Sequence, residues 1–194
     1  TFFTDKATTR YLFGRSAAEA EISVAEGVMG YYDGLGGISE EASSSDVAAA
    51  LNMPVVLVVN CRGMSISVVP LIKGFLEYQN PSRIKGVILN QMPKSLYADM
   101  KAQIERWLPV KVLGYVPKVE DLGLESRHLG LVLPGEIESL KEKLNRLAAV
   151  LEESIDLDAF LALAYEAPDF TYETPELPKL SGEKKVRIGV AEDD

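Results

Sequence analysis

The amino-acid sequence predicts an α/β fold: a doubly wound, mostly parallel sheet flanked by helices. Three observations predict it. Apolar runs of strand length alternate with amphipathic stretches; the clearest run, Met53–Val59 (MPVVLVV), is unbroken rather than alternating; and the runs close in turn at Glu26, Asn60, Asn90 and Pro117. Continuous β-branched runs belong to parallel strands covered on both faces. Strand–helix–strand at this spacing implies right-handed crossovers.

In chain order, Ile22–Val28 reads as the first strand, its carboxyl end at Glu26. Asp46–Leu51 is predicted helical, with the serines before it as candidate N-caps. Met53–Val59 is the buried strand, bounded by Asn52 and Asn60. Ser67–Tyr78 follows as an amphipathic helix, then strand Ile84–Leu89, helix Ser95–Leu108 and strand Val110–Val116. Trp107 closes an amphipathic helix and is expected in the core. Beyond Pro134, Gly135–Glu153 is predicted as a long helix, with Ile137, Leu140, Leu144, Leu147 and Leu151 on one buried face and its charges in solvent. Asp156–Ala164 reads as a shorter helix with Asp158 favourable in its first turn. Residues 167–185 are rich in proline and acids, the composition of a linker. Lys185–Val190 then begins a strand pattern, while Thr1–Thr4 offers neither an initiator Met nor a capped element. The expectation is a first domain over 1–166, a linker over 167–185 and the start of a second domain over 186–194.

Composition narrows the function. Across 194 residues, 47% are hydrophobic and 25% charged, ordinary for a globular protein, and the net charge of -9 provides no basic field for nucleic acid. Cys61 is the single cysteine, which excludes an internal disulfide and a multi-cysteine zinc site and suits a reducing, cytoplasmic setting. Cys61 itself, beside a strand end, is expected to be a small core residue and not a nucleophile. No apolar run approaches the roughly 18 residues of a membrane span, so no membrane partner is expected.

Sites in such sheets are built in the loops at the carboxyl ends of strands. The densest cluster of unusual residues is Glu26–Gly37 (EGVMGYYDGLGG). Glycines at this density let a backbone turn sharply and approach a ligand. A carboxylate aimed into such a loop can hold Mg²⁺ on a nucleotide phosphate; a flexible loop with Asp33-Gly34 as a plain turn is the alternative.

Glu26–Gly34 (EGVMGYYDG) is similar to the signature of the cobyrinic acid a,c-diamide synthase family, usually EGVMGLYDG. The resemblance continues in order through SSSDVA (Ser43–Ala48), PVVLVVNCRGMS (Pro54–Ser65), GVILNQ (Gly86–Gln91), LGYVPK (Leu113–Lys118) and RHLGL (Arg127–Leu131), over roughly residues 10–165. It implies a P-loop nucleotide-binding domain of the dethiobiotin-synthetase-like branch. The implied activity is ATP- and Mg²⁺-dependent amidation of two carboxylates, a and c, of a corrinoid tetrapyrrole, through an acyl phosphate. The ammonia comes from glutamine by way of a C-terminal amidotransferase domain. Carried over residue by residue, Glu26 holds Mg²⁺ and Asp33 lies by the metal or the substrate carboxylate, making these two the catalytic candidates. Gly27 and Gly30 shape the ligand loop, and Asn90 and Pro117 read the adenine edge. Arg62 serves a phosphate or a tetrapyrrole carboxylate, or is a plain surface arginine. Within RHLGL, His128 faces substrate or shapes a loop, and Arg127 is given no role. A homodimer is the assembly expected.

The sequence departs from the family in two respects. No G-x-x-x-x-G-K-[ST] phosphate cradle occurs between Thr1 and Asp194, and no Cys-His amidotransferase set is present. Both are therefore expected outside this chain, with the cradle upstream of Thr1, so that the fold is N-terminally truncated. Nickel-sirohydrochlorin diamide synthase and cobyric acid synthase resemble the family closely and stay open as alternatives. From other classes, a ParA/MinD-like ATPase switch and a non-catalytic regulatory domain of the same fold also stay open. Against the first stand the unusual Glu-Gly-Val-Met-Gly stretch and the lack of a basic amphipathic membrane helix.

Overall fold

A computed structural model describes residues 1–119, 140–175 and Gly189. Its elements are α1 (Lys6–Ala17), a single 3-10 turn (Leu35–Gly37), α2 (Ser44–Leu51), β1 (Val55–Asn60), α3 (Val68–Tyr78), β2 (Ile84–Asn90), α4 (Lys94–Trp107), β3 (Lys111–Val116), α5 (Leu140–Ser154) and α6 (Leu157–Tyr165).

The three strands form one parallel sheet in the order β1-β2-β3. Parallel neighbours need crossovers, and α3 and α4 supply them. Both helices pack on one face, where Ile72, Met100 and Ile104 meet Val59, Val87, Leu89 and Val112 in the main core. The other face takes α6: Leu163 approaches Gly86 and Leu113, so near that a Cβ on Gly86 would lie 2.6 Å from Leu113 and 3.3 Å from Leu163. Helices therefore cover both faces, as the unbroken β-branched runs require.

Local chemistry explains most boundaries. Ser43 caps α2 by accepting from the Asp46 amide, and Asn52 closes it in a left-handed conformation. Asp156 caps α6 through the Ala159 amide. Gly114, at φ +151°, lets the α5–α6 corner close onto β3. The Asp156 amide donates to the Leu113 carbonyl at 2.7 Å, and any Cβ on Gly114 would sit 2.4 Å from the Ser154 carbonyl oxygen.

Five points of the expected fold need correction or extension. Ile22–Val28 is not a strand; it is irregular and largely exposed, with no described neighbour to take its backbone hydrogen bonds. Hence three strand ends, not four, share an edge. Met53–Val59 is less buried than its composition suggests, because among the described residues β1 has a strand neighbour on one side only: Val59 is 4% exposed but Val58 is 60% exposed. Trp107 is not core; it ends α4 in solvent at 65% exposure, with the Arg106 guanidinium over its ring. Helix α1 was not foreseen, because its apolar residues are spread around the axis; its start is nevertheless capped by Asp5, which accepts from the Thr8 amide at 2.7 Å. For the long helix, only the part from Leu140 lies among the described residues, and its leucine face is not buried there: Leu144 is exposed and Leu140, Leu147 and Leu151 are half-buried. Ile137 falls outside, as do Arg127, His128 and the strand expected from Val186.

The chain after α6 returns across α1. Phe170 packs edge-on against Phe13 with ring centres 5.1 Å apart, and Arg10 lies over Phe170 while donating to the carbonyls of Ala50 and Thr171.

Candidate functional site

The sheet's carboxyl edge gathers three of the predicted loops. Asn60 and Asn90 are register partners, and Asn90 pairs in turn with Val116, the residue before Pro117. The ladder runs one step past the strands: the Cys61 amide donates to the Asn90 carbonyl at 2.7 Å, and the Met92 amide to the Val116 carbonyl at 3.2 Å. Beyond it the backbone turns sharply. Asn60 Oδ1 accepts from the Arg62 amide at 3.1 Å, and Asn90 Oδ1 accepts from the Gln91 amide at 3.0 Å. Gln91 is held at φ +57°, and Gly63 stands at φ +72°. The asparagines therefore shape the edge with their oxygens. Arg62 is exposed just beyond it, and Pro117 is half-buried.

Cys61 is fully buried at this edge, its thiol donating to the Val59 carbonyl at 3.3 Å. Burial pushes that thiol up to about 11, so it stays protonated at neutral pH. This matches the core role expected of it.

The glycine-rich loop lies elsewhere. Glu26 is exposed, and Gly27 passes close over the start of α2, where a Cβ would lie 2.4 Å from Ser44 Oγ. Tyr31 anchors the loop: its ring is buried, its carbonyl accepts from the Ser45 amide, and its hydroxyl donates to the Ser82 carbonyl at 2.6 Å. Burial pushes the Tyr31 phenol up to about 12, and it remains a donor. Ser82 precedes β2, so this anchor holds the loop toward the sheet's amino edge. Asp33 follows in a tight turn closed by its own amide on the Gly30 carbonyl, at 3.0 Å. Its carboxylate folds back over Gly30, where a Cβ would lie 2.1 Å from Oδ2.

Asp33 lines a pocket of about 330 Å³ with Tyr32, Ile38, Glu40, Phe75 and Tyr78. Phe75 and Tyr78 come from the far end of α3, the helix that starts beside the carboxyl edge. The structure thus brings Asn90, Pro117 and Arg62 to one edge, Gly30 and Asp33 to a separate pocket, and leaves Glu26 and Gly27 beside α2. The aromatic wall was not foreseen. Its signal was Tyr31-Tyr32 within the signature, together with Phe75 and Tyr78 at i, i+3 spacing.

For a divalent cation, no group of three or more His, Cys, Asp or Glu side chains gathers among the described residues. Mg²⁺ bound with a nucleotide needs no protein cage; one or two carboxylates suffice beside phosphate oxygens and waters. The exposed carboxylate of Glu26 is of the type that meets this demand, while Asp33 lies apart from it in its own pocket.

Comparison with known proteins agrees with the motifs. The chain is 40% identical over 194 residues to a cobyrinate a,c-diamide synthase of Caldanaerobacter subterraneus subsp. tengcongensis, covering 100% of this chain and 42% of that protein. It is 34% identical over 190 residues to one from Limosilactobacillus reuteri, covering 97% and 41%. A third, from Listeria monocytogenes serotype 4b, is 38% identical over 192 residues, covering 97% and 42%. The resemblance read from the sequence is borne out, and the chain spans about two-fifths of the length of these relatives. No solved structure matches significantly. Residues 4–126 match the AAA domain family, and over that stretch, more than half its length, the chain belongs to the AAA domain family.

Proposed function

We propose that this chain is part of the ATP-dependent half of an amidoligase that converts the a and c carboxylates of cobyrinate to amides. The observation that carries the reading is the 40% identity to a cobyrinate a,c-diamide synthase along the whole chain. A carboxylate is a poor acyl donor. Transfer of the γ-phosphoryl group of ATP to its oxygen supplies a leaving group; attack by ammonia then forms the C–N bond, and the C–O bond to phosphate breaks. The catalytic demand is positioning and charge neutralisation.

The residues divide by location. At the carboxyl edge, Asn90 and Pro117 take the adenine edge; the Asn90 amide N–H groups remain available because its oxygen serves Gln91. Arg62 is exposed beside them for a phosphate or a substrate carboxylate. In the loop, Gly27 and Gly30 keep the backbone close, Glu26 would hold Mg²⁺, and Asp33 would orient the metal or the substrate carboxylate. When bound, Mg²⁺ neutralises phosphate charge. The glutaminase that supplies ammonia, a homodimeric assembly and a cytoplasmic location belong to the same proposal. No described helix is long and apolar enough to cross a membrane.

The test is steady-state amidation by the complete gene product containing this chain, with glutamine and then ammonia as nitrogen donor. Glu26→Gln keeps shape but removes charge, and turnover should fall roughly a hundredfold, about 2.7 kcal/mol. Asp33→Asn should raise the corrinoid KM more than the ATP KM. Defects that persist with ammonia belong to this domain. Wild-type rates from both variants with either donor would make the loop scaffolding.

A further inference from the structure

We propose that the pocket walled by Tyr32, Phe75 and Tyr78 and edged by Asp33 and Glu40 binds an ammonium cation. For the amidation proposed above, on which this role rests, it is where the nitrogen nucleophile gathers.

The walls come first. The Tyr32 ring stacks on Phe75, with centres 6.0 Å apart and planes 14° from parallel, and Tyr78 tilts against it at 4.7 Å. A hydrogen bond of 2.7 Å from the Tyr32 hydroxyl to the Phe75 carbonyl fixes that ring in place. Its phenol is pushed up by burial and by the nearby Glu40 carboxylate, so the wall stays uncharged. The Tyr32 ring therefore keeps its quadrupole uncompromised by charge.

The rim is acidic. Glu40 is held by the Gln79 side-chain amide, and Asp33 is set by the turn that folds it over Gly30. Two carboxylates lining the same pocket as the aromatic rings attract a cation. Aromatic faces bind ammonium and quaternary ammonium groups by the same electrostatics, at about 0.5–1 kcal/mol per exposed contact. No lysine or arginine lines the pocket, so no internal cation competes. Tyr78 is 64% exposed, and the pocket opens to solvent on that side. Weak capture of a cation abundant in solution is what such an open site can do. The site only binds and concentrates ammonium; on leaving it, the cation gives a proton to solvent water, and the resulting ammonia makes the C–N bond in the chemistry above.

Two measurements on the complete protein test it. In saturation-transfer NMR, tetramethylammonium chloride should give a signal with wild type that Tyr78→Ala and Glu40→Gln reduce severalfold. In ammonia-driven amidation, both variants should raise the KM for ammonium about fivefold, about 1 kcal/mol, while the ATP KM stays within about twofold. Tyr78→Phe, which keeps the aromatic face, should restore both readouts. Saturation transfer that is equal in wild type and Tyr78→Ala overturns the site. An unchanged ammonium KM in an active Tyr78→Ala enzyme overturns its role. A wild-type protein that makes no amide but binds tetramethylammonium through Tyr78 instead overturns the amidation reading and leaves the cation site standing.

Discussion

Asn60 and Asn90 face each other as register partners at the carboxyl ends of β1 and β2, and each turns its side-chain oxygen onto a backbone amide of the loop that follows. One residue type thus ends two neighbouring strands in the same way. The arrangement fixes the edge, while the amide N–H groups of Asn90 remain for a ligand.

That division of labour can be separated by mutation. Asn90→Ala removes the acceptor for the Gln91 amide and should cost about 1 kcal/mol in chemical denaturation. Asn90→Asp keeps an acceptor but has no N–H donors. It should retain most of the stability while raising the ATP KM about tenfold, the worth of roughly one hydrogen bond to the base. Equal ATP KM in wild type and Asn90→Asp would remove Asn90 from base recognition.

Gly30 and Asp33 form a second pair, one making room for the other. Gly30→Ala places a methyl where the Asp33 carboxylate lies, 2.1 Å from Oδ2. Asp33 is exposed and can swing away, so denaturation should shift by less than about 1 kcal/mol. Amidation should nevertheless fall as far as in Asp33→Ala, and the double variant should be no worse than either single one. Additive losses would mean that the two residues act independently.

Asp46 gives the fold a measurable pH dependence. Burial alone would push its carboxyl up, but the hydrogen-bonded Lys6 ammonium, with Nζ 2.9 Å from Oδ1, and the Ala42 amide hold it below the usual carboxylate range. A depressed folded-state pKa contributes stability that is fully present above the unfolded value of about 3.9 and is lost as pH falls through the folded one. Asp46→Asn should therefore lower the Tm at neutral pH by an amount worth up to about 1 kcal/mol, since Lys6 is largely exposed. The gap should close on acidification below the ordinary carboxylate pKa. A gap constant down to pH 3 would assign the effect to packing.

Much of the sheet was legible because its determinants are local. MPVVLVV, IKGVILN and KVLGYV are β-branched and nearly unbroken, and asparagine or proline ends each of them. Ser43 is one of the serines that announced α2 as a cap, whereas Asp156, read as the first helical residue, is itself the cap of α6. What composition could not reveal was neighbourhood. Among the described residues, Ile22–Val28 has a strand's composition but no pairing partner, and β1 has the composition of a central strand but pairs on one side only. Trp107 is apolar by type yet lies past the last buried turn of α4. The family signature exposed Glu26 and Asp33 as candidates, whereas the wall around Asp33 depends on α3 meeting the loop across more than forty residues. No local pattern encodes that meeting.

The central claim is tested most directly by product analysis. The complete gene product is incubated with cobyrinate, ATP, Mg²⁺ and ammonium chloride, and the corrinoid is followed by mass spectrometry alongside released phosphate. The account predicts successive mono- and diamide formation with one phosphate released per amide, and none without ATP. Phosphate release without any amide, or amide formation that is indifferent to ATP, would contradict it.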